Sequence, residues 1–176
     1  MQKFITTFLL CFILTQSFGQ VERKSSMYLQ GQYTHTLYDA TKGNNPWGMG
    51  AGLQLFFRQA AKLKPTIELT ADGYLEDDKV LRLDTAGTPI NDLGGMVNLF
   101  AGGSYHPMKT LYLALVAGPS FLGGQIKFGI KPSLGFYFSH SQRWTGKLSY
   151  INVFNRYEKT NEDFGSISFS LGVRLY

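Results

Sequence analysis

From residue 26 onward, apolar and polar side chains take turns along this chain with a period of two, and that pattern constrains the fold more than any other feature. In the stretch 47–58, Trp47, Met49, Ala51, Leu53, Leu55 and Phe57 fall on one face, and Gly48, Gly50, Gly52, Gln54, Phe56 and Arg58 on the other. A period of two places successive side chains on opposite faces of a strand, so the stretch predicts a strand with one apolar face.

The same reading applies seven more times. Met27, Leu29, Tyr33 and Leu37 oppose Gln30, Gln32, Thr34 and Thr36 over 26–38, the weakest case. Ile67, Leu69, Ala71 and Leu75 oppose Thr66, Glu68, Thr70, Asp72 and Tyr74. Val97, Leu99, Ala101 and Tyr105 oppose Asn98, Phe100, Gly102 and Ser104, and the stretch 111–122 aligns Leu111, Leu113, Leu115, Ala117 and Phe121. Ile126, Phe128, Ile130, Leu134, Phe136 and Phe138 oppose Gln125, Lys127, Lys131 and Ser133. Trp144, Leu148, Tyr150 and Phe154 oppose Thr145, Lys147 and Ser149. Finally Ile167, Phe169, Leu171, Val173 and Leu175 oppose Ser166, Ser168, Ser170, Gly172 and Arg174. The expected fold is therefore all-β, an eight-stranded antiparallel up-and-down barrel. Its strands are near the length of about 9–11 residues that crosses a bilayer at a steep tilt. Connections at 59–64, 107–110 and 139–142 are short and share one end, expected to be periplasmic. Those at 39–46, 76–93 and 157–163 share the other end and are mostly longer, with Gly123-Gly124 as a tight exception.

Alternation does not say whether the apolar face points inward or outward. Charged residues make up 16% of the chain, against about 25% in soluble domains. The polar faces are rich in Gly, Ser, Thr and Gln, whereas a soluble surface carries roughly 25–35% charged residues. Trp47, Tyr105, Trp144 and Phe154 sit near strand ends, where membrane barrels carry aromatic girdles. Lys127, Lys131 and Lys147 all lie on polar faces, and a one-residue slip would turn them outward. A lysine facing lipid near the midplane costs roughly 2–4 kcal/mol. Three would rival a whole domain stability of about 5–15 kcal/mol. The polar face is thus expected to line the lumen and the apolar face to meet lipid.

The N-terminus carries its own message. Lys3 precedes an apolar run from Phe4 to Thr15 that is too short to cross a bilayer as a helix, which takes about 20 residues. Ser17-Phe18-Gly19 then supplies small residues for a signal peptidase. Residues 1–19 are expected to be a cleaved signal peptide and 20–176 the barrel domain. Cys11 is the single cysteine; Leu10 before it breaks the lipobox pattern, and the mature chain is expected to hold no thiol. The net charge is +5, with Lys and Arg spread along the chain rather than clustered, which argues against nucleic acid.

The signal peptide, eight alternating strands and a terminal strand ending on Tyr176 resemble the small outer-membrane barrels of the OmpA/OmpX type. The resemblance covers about residues 26–176. It implies integral insertion in a bacterial outer membrane, contact with outer-membrane lipid, and folding by the barrel assembly machinery. The apolar set of the last strand is one position out of phase with Tyr176, a departure from the family pattern. Gln20 as first mature residue and the loop style resemble Bacteroidetes members.

Candidate chemistry is sparse. Glu68, Asp72, Lys127, Lys131, Lys147 and Arg174 are expected to project into the lumen, which at eight strands is just wide enough for side chains to fill. The expected role is an ion-pair network that plugs the barrel, since buried charges need partners; a narrow porin-like conduit or ligand pocket is the alternative. The glycines of 48–52 resemble a phosphate loop only superficially, because position 53 is Leu and the period is two. His35, His106 and His140 fall at different places, and no metal or cofactor is expected. Ser139-His140-Ser141 is the nearest thing to the Ser–His pair of a lipid-modifying enzyme, but it sits on a short turn without a carboxylate to orient it. The longest connection, 76–93, carries Val80, Leu81, Arg82, Leu83 and Ile90, more apolar than a solvated loop needs; it either extends the hairpin beyond the membrane or is a partner-contact loop. The reading is a non-enzymatic barrel with a structural or surface-interaction role. Its rivals are a subunit of a larger envelope secretion or transport complex, a narrow channel, and a lipid-modifying enzyme.

Overall fold

A computed structural model describes residues 25–37, 47–58, 60–74, 95–122, 124–157 and 162–175. The signal segment 1–19, the loop 76–93 with Val80, Leu81, Arg82, Leu83 and Ile90, and Tyr176 lie outside the described residues.

Eight strands follow in chain order: β1 (Ser26–Thr36), β2 (Trp47–Phe56), β3 (Leu63–Tyr74), β4 (Met96–Met108), β5 (Leu111–Leu122), β6 (Gln125–Tyr137), β7 (Trp144–Tyr157) and β8 (Glu162–Arg174). Each pairs antiparallel with its neighbours, and β1 pairs with β8 from Tyr28↔Arg174 to Thr36↔Ser166, closing the barrel. Closure satisfies every strand edge, the condition for a sheet to stand alone in an apolar solvent. The seam extends past the strands, where Leu37 N donates to Gly165 O at 2.9 Å and Leu175 N to Met27 O at 2.8 Å.

One end carries the short turns. Relative to the sequence reading, the β2–β3 turn is shifted, the β4–β5 turn is tighter and the β6–β7 turn is slightly longer. Phe57 N reaches Pro65 O at 3.0 Å, and Met108 pairs with Leu111, leaving only 109–110 between β4 and β5. Arg58 and Gln142 take left-handed backbone in their turns, with φ of 57° and 54°. At the opposite, loop end, Leu122 pairs with Gln125, and Gly124 turns the chain with φ of 81°, which glycine adopts without Cβ strain.

The alternation resolves as the charge argument requires. Leu29, Leu69, Leu99, Leu113, Leu134, Leu148 and Phe169 face outward and are exposed. Trp47, Tyr105, Trp144 and Phe154 also face outward near strand ends. Tyr33 stacks on Trp47 with ring centroids 5.1 Å apart, and Phe128 on Phe154 at 6.3 Å.

The interior is filled by side chains in three layers. At the turn end Tyr28, Phe56, Tyr112 and Tyr137 form an aromatic cluster. At the loop end Tyr74, Met96, Phe100, Val116, Leu122, Ile151, Val153 and Phe164 form an apolar one. Gln30, Gln32, Gln54, Glu68, Asp72, Asn98, Lys131 and Lys147 are buried between them. The inner face is therefore not simply the polar face. Inner side chains fit where inward glycines face them: a Cβ on Gly135 would collide with the Tyr112 ring, one on Gly129 with the Phe100 ring, and one on Gly50 with the Asp72 carboxylate.

Candidate functional site

The middle layer centres on Glu68. Its inward position on β3 follows from the register Gln54↔Glu68 and Glu68↔Phe100. Lys131 Nζ, from β6, lies 2.6 Å from Glu68 Oε1, and Lys147 Nζ, from β7, lies 2.8 Å from Oε2. All three side chains are at most 2% exposed. Each carboxylate oxygen thus takes one ammonium, the arrangement that offsets the cost of removing charges from water.

Neutral amides extend the cluster. Gln54 Oε1 accepts from Gln30 Nε2 at 2.6 Å and from Lys147 Nζ at 3.4 Å. Tyr112 OH donates to the same oxygen at 3.5 Å, tying the charged layer to the aromatic one. Asp72, four residues along β3 toward the loop end, accepts from the Gln32 amide and from Asn98 Nδ2 at 3.4 Å. Ser170 OH donates to Gln32 Oε1 at 3.3 Å, carrying the chain of contacts to β8.

Of the six residues expected to form one network, the structure brings Glu68, Lys131 and Lys147 together. Asp72 joins a neighbouring amide network instead. Lys127 is half-exposed at the loop end, in register with Ser120, and Arg174 is half-exposed at the turn end, in register with Tyr28. Neither belongs to the Glu68 cluster. Parity alone places a residue on the inner face; height in a sheared barrel decides whom it meets.

Gln30, Gln32, Gln54 and Asn98 hold the charged groups, and nothing in the sequence marks these amides as their ligands. The sequence reading also omitted Lys64, which is buried on the inner face of β3 with the same parity as Glu68. That parity was the available signal.

The three histidines are separate. His35 faces outward against the Trp47 ring at 4.3 Å, His140 is on the turn, and His106 is buried in the aromatic layer, 5.2 Å from the Tyr112 ring. Among the described residues no group of acidic, His or Cys side chains has the makings of a metal site. In Ser139-His140-Ser141 the two hydroxyls hydrogen-bond to each other at 2.7 Å. A different Ser–His contact exists, Ser104 Oγ to His106 Nε2 at 3.0 Å. Ser104 is fully buried and also accepts from Thr66 OH at 3.0 Å, so the pair works as packing rather than as an accessible nucleophile.

No family model matches this sequence, and no curated protein matches it in sequence. Solved structures do match in shape. The attachment invasion locus protein Ail of Yersinia pestis superposes with a TM-score of 0.55 at 13% identity, covering 88% of this chain and 100% of Ail. Ail in a phospholipid bilayer nanodisc gives 0.56 at 11% identity, covering 86% and 100%. Neisserial surface protein A gives 0.55 at 12% identity, covering 88% and 98%. With these small proteins this chain shares the closed eight-stranded antiparallel barrel fold.

Proposed function

We propose that this chain is a non-enzymatic integral protein of the bacterial outer membrane, with a lumen closed to ions and a structural or surface-interaction role. The observation that carries the reading is the layered interior, with the Glu68–Lys131–Lys147 cluster buried between an aromatic and an apolar cluster. Side chains packed in that order leave the charges partnered and the axis obstructed.

Membrane placement rests on the outer face. A soluble monomer rarely exposes a contiguous apolar patch beyond a few hundred Å2. Here leucines, isoleucines and phenylalanines encircle the barrel between exposed aromatic rings. Ail, which has the same fold, has been solved in a phospholipid bilayer. Export by a cleaved signal peptide at 1–19, insertion by the barrel assembly machinery, and contact of the 76–93 loop with another envelope protein belong to the same reading.

The test is extraction from native membranes in mild detergent, with size and co-migrating chains measured. A particle of one barrel plus micelle is the expected result. A larger particle with a fixed set of partners would replace the self-contained role with that of a subunit in an envelope complex.

A further inference from the structure

Charge is distributed unevenly along the barrel axis. Among the described residues the acids are Glu68, Asp72, Glu162 and Asp163. The first two are buried in the middle layer, and the last two begin β8 at the loop end. The described residues of the turn end hold no acid. They carry Arg58, Lys62, Lys64, Lys109, Arg143 and Arg174 instead.

Register turns four of these cations toward the mouth of the lumen. Residues directly opposite in an antiparallel pair share a face. Lys64 is buried on the inner face of β3. One step beyond the Leu63↔Tyr105 pair, His106 N donates to Lys62 O at 2.7 Å, which sets Lys62 opposite the buried His106. Arg174 is in register with the buried Tyr28, and Arg174 N donates to Arg143 O at 2.8 Å, which sets Arg143 opposite Arg174. The alternate positions are apolar, with Leu63, Trp144 and Leu175 facing outward and exposed. An apolar row therefore stands between these cations and whatever surrounds the wall. Lys62 and Arg143 are themselves exposed, so the positive charge reaches solvent at the mouth. The turns that carry it are braced. Tyr28 OH donates to Gln142 O at 2.8 Å, and Gln142 Nε2 donates to Lys109 O at 2.9 Å, tying the β6–β7 turn to β1 and to the β4–β5 turn.

We propose that this turn-end mouth docks an acidic polypeptide segment of another envelope protein, with the segment's carboxylates on Lys62, Arg143 and the cations beside them. The inference rests on the membrane reading above, which gives the outer wall to lipid and leaves the ends for partners. An excess of one sign of charge on a braced surface selects a partner of the opposite sign. Guanidinium groups meet carboxylates through a planar fork of donors. The aromatic layer of Tyr28, Phe56, Tyr112 and Tyr137 fills the lumen behind the mouth, so the segment lies across the opening and does not thread it. Lipid phosphate is the competing anion. The inward register of the cations, with Leu63, Trp144 and Leu175 outside them, favours a ligand that arrives along the axis.

The experiment places the full chain in nanodiscs of phosphatidylcholine, which leave both ends open, and titrates it with a fluorescent polyglutamate peptide read by anisotropy. Binding is expected, and it is expected to weaken as salt is raised, because exposed charges are screened. The double variant Lys62→Gln, Arg143→Gln is expected to bind about tenfold more weakly, since two exposed pairs are lost. The double variant Lys79→Gln, Arg82→Gln removes the same net charge from the 76–93 loop and is expected to bind like the natural sequence. No binding by the natural sequence overturns the proposal, as does binding that is indifferent to salt. A Lys62, Arg143 variant that binds like the natural sequence overturns it too, as does an equal loss in both double variants, which would report net charge alone. Nanodiscs containing phosphatidylglycerol test the other anion: peptide binding abolished there would assign the mouth to lipid headgroups and overturn the peptide. Failure of the chain to enter nanodiscs would instead overturn the membrane reading, whereas a chain that enters them and binds no peptide overturns this proposal alone.

Discussion

Glu68 holds two lysines, and neither has another carboxylate within ion-pair distance among the described residues. Removing the charge therefore strands two buried ammonium groups. Glu68→Gln is expected to destabilise the folded barrel by about 3–5 kcal/mol, the cost of breaking a buried pair from one side. Replacing all three with apolar groups, as Glu68→Leu, Lys131→Met and Lys147→Met together, is expected to cost much less, since no unpaired charge remains. Urea unfolding in vesicles, read by circular dichroism, compares the two. A triple variant no more stable than Glu68→Gln would show that the ion pairs are not the source of the loss. Gly135 gives a second check at this scale. Any side chain there meets the Tyr112 ring, so Gly135→Val is expected to cost about 1–3 kcal/mol by overpacking. The same unfolding measurement reads it.

At the scale of the strand, parity carries the design. Leu69 on β3 faces outward between Leu53 and Leu99, and Glu68 beside it faces inward. Leu69→Lys is expected to cost roughly 2–4 kcal/mol if that face meets hydrocarbon, with Leu69→Ala as the control for lost side-chain volume. Equal stability of the Lys and Ala variants in vesicles would mean that the face does not lie in the bilayer core. Parity is also what made the strands legible from sequence. All eight alternating runs are strands, and Lys131 and Lys147 turn inward as the cost of exposing them to lipid requires. What parity could not supply was height. Lys127 and Lys131 share a face of β6, yet only Lys131 meets Glu68, because strand tilt and stagger set which levels coincide across the lumen. Nor could it separate polar from aromatic filling. Phe56, Phe100, Tyr112 and Tyr137 lie on inner faces that read as small or polar, and Phe100 and Tyr112 fit against Gly129 and Gly135 of β6.

Over the described residues the barrel has an apolar outer wall and a polar middle layer between rings at one end and mainly aliphatic side chains at the other. Closure joins β1 to β8, so the wall has no edge from which to unravel, and cooperative unfolding in a single transition is expected. Conductance across a planar bilayer reads out whether this interior obstructs the axis. With insertion verified by circular dichroism in matched vesicles, the natural sequence is expected to give no current steps above the lipid baseline. Steady, reproducible steps from the inserted protein would contradict the closed lumen and make the chain a channel.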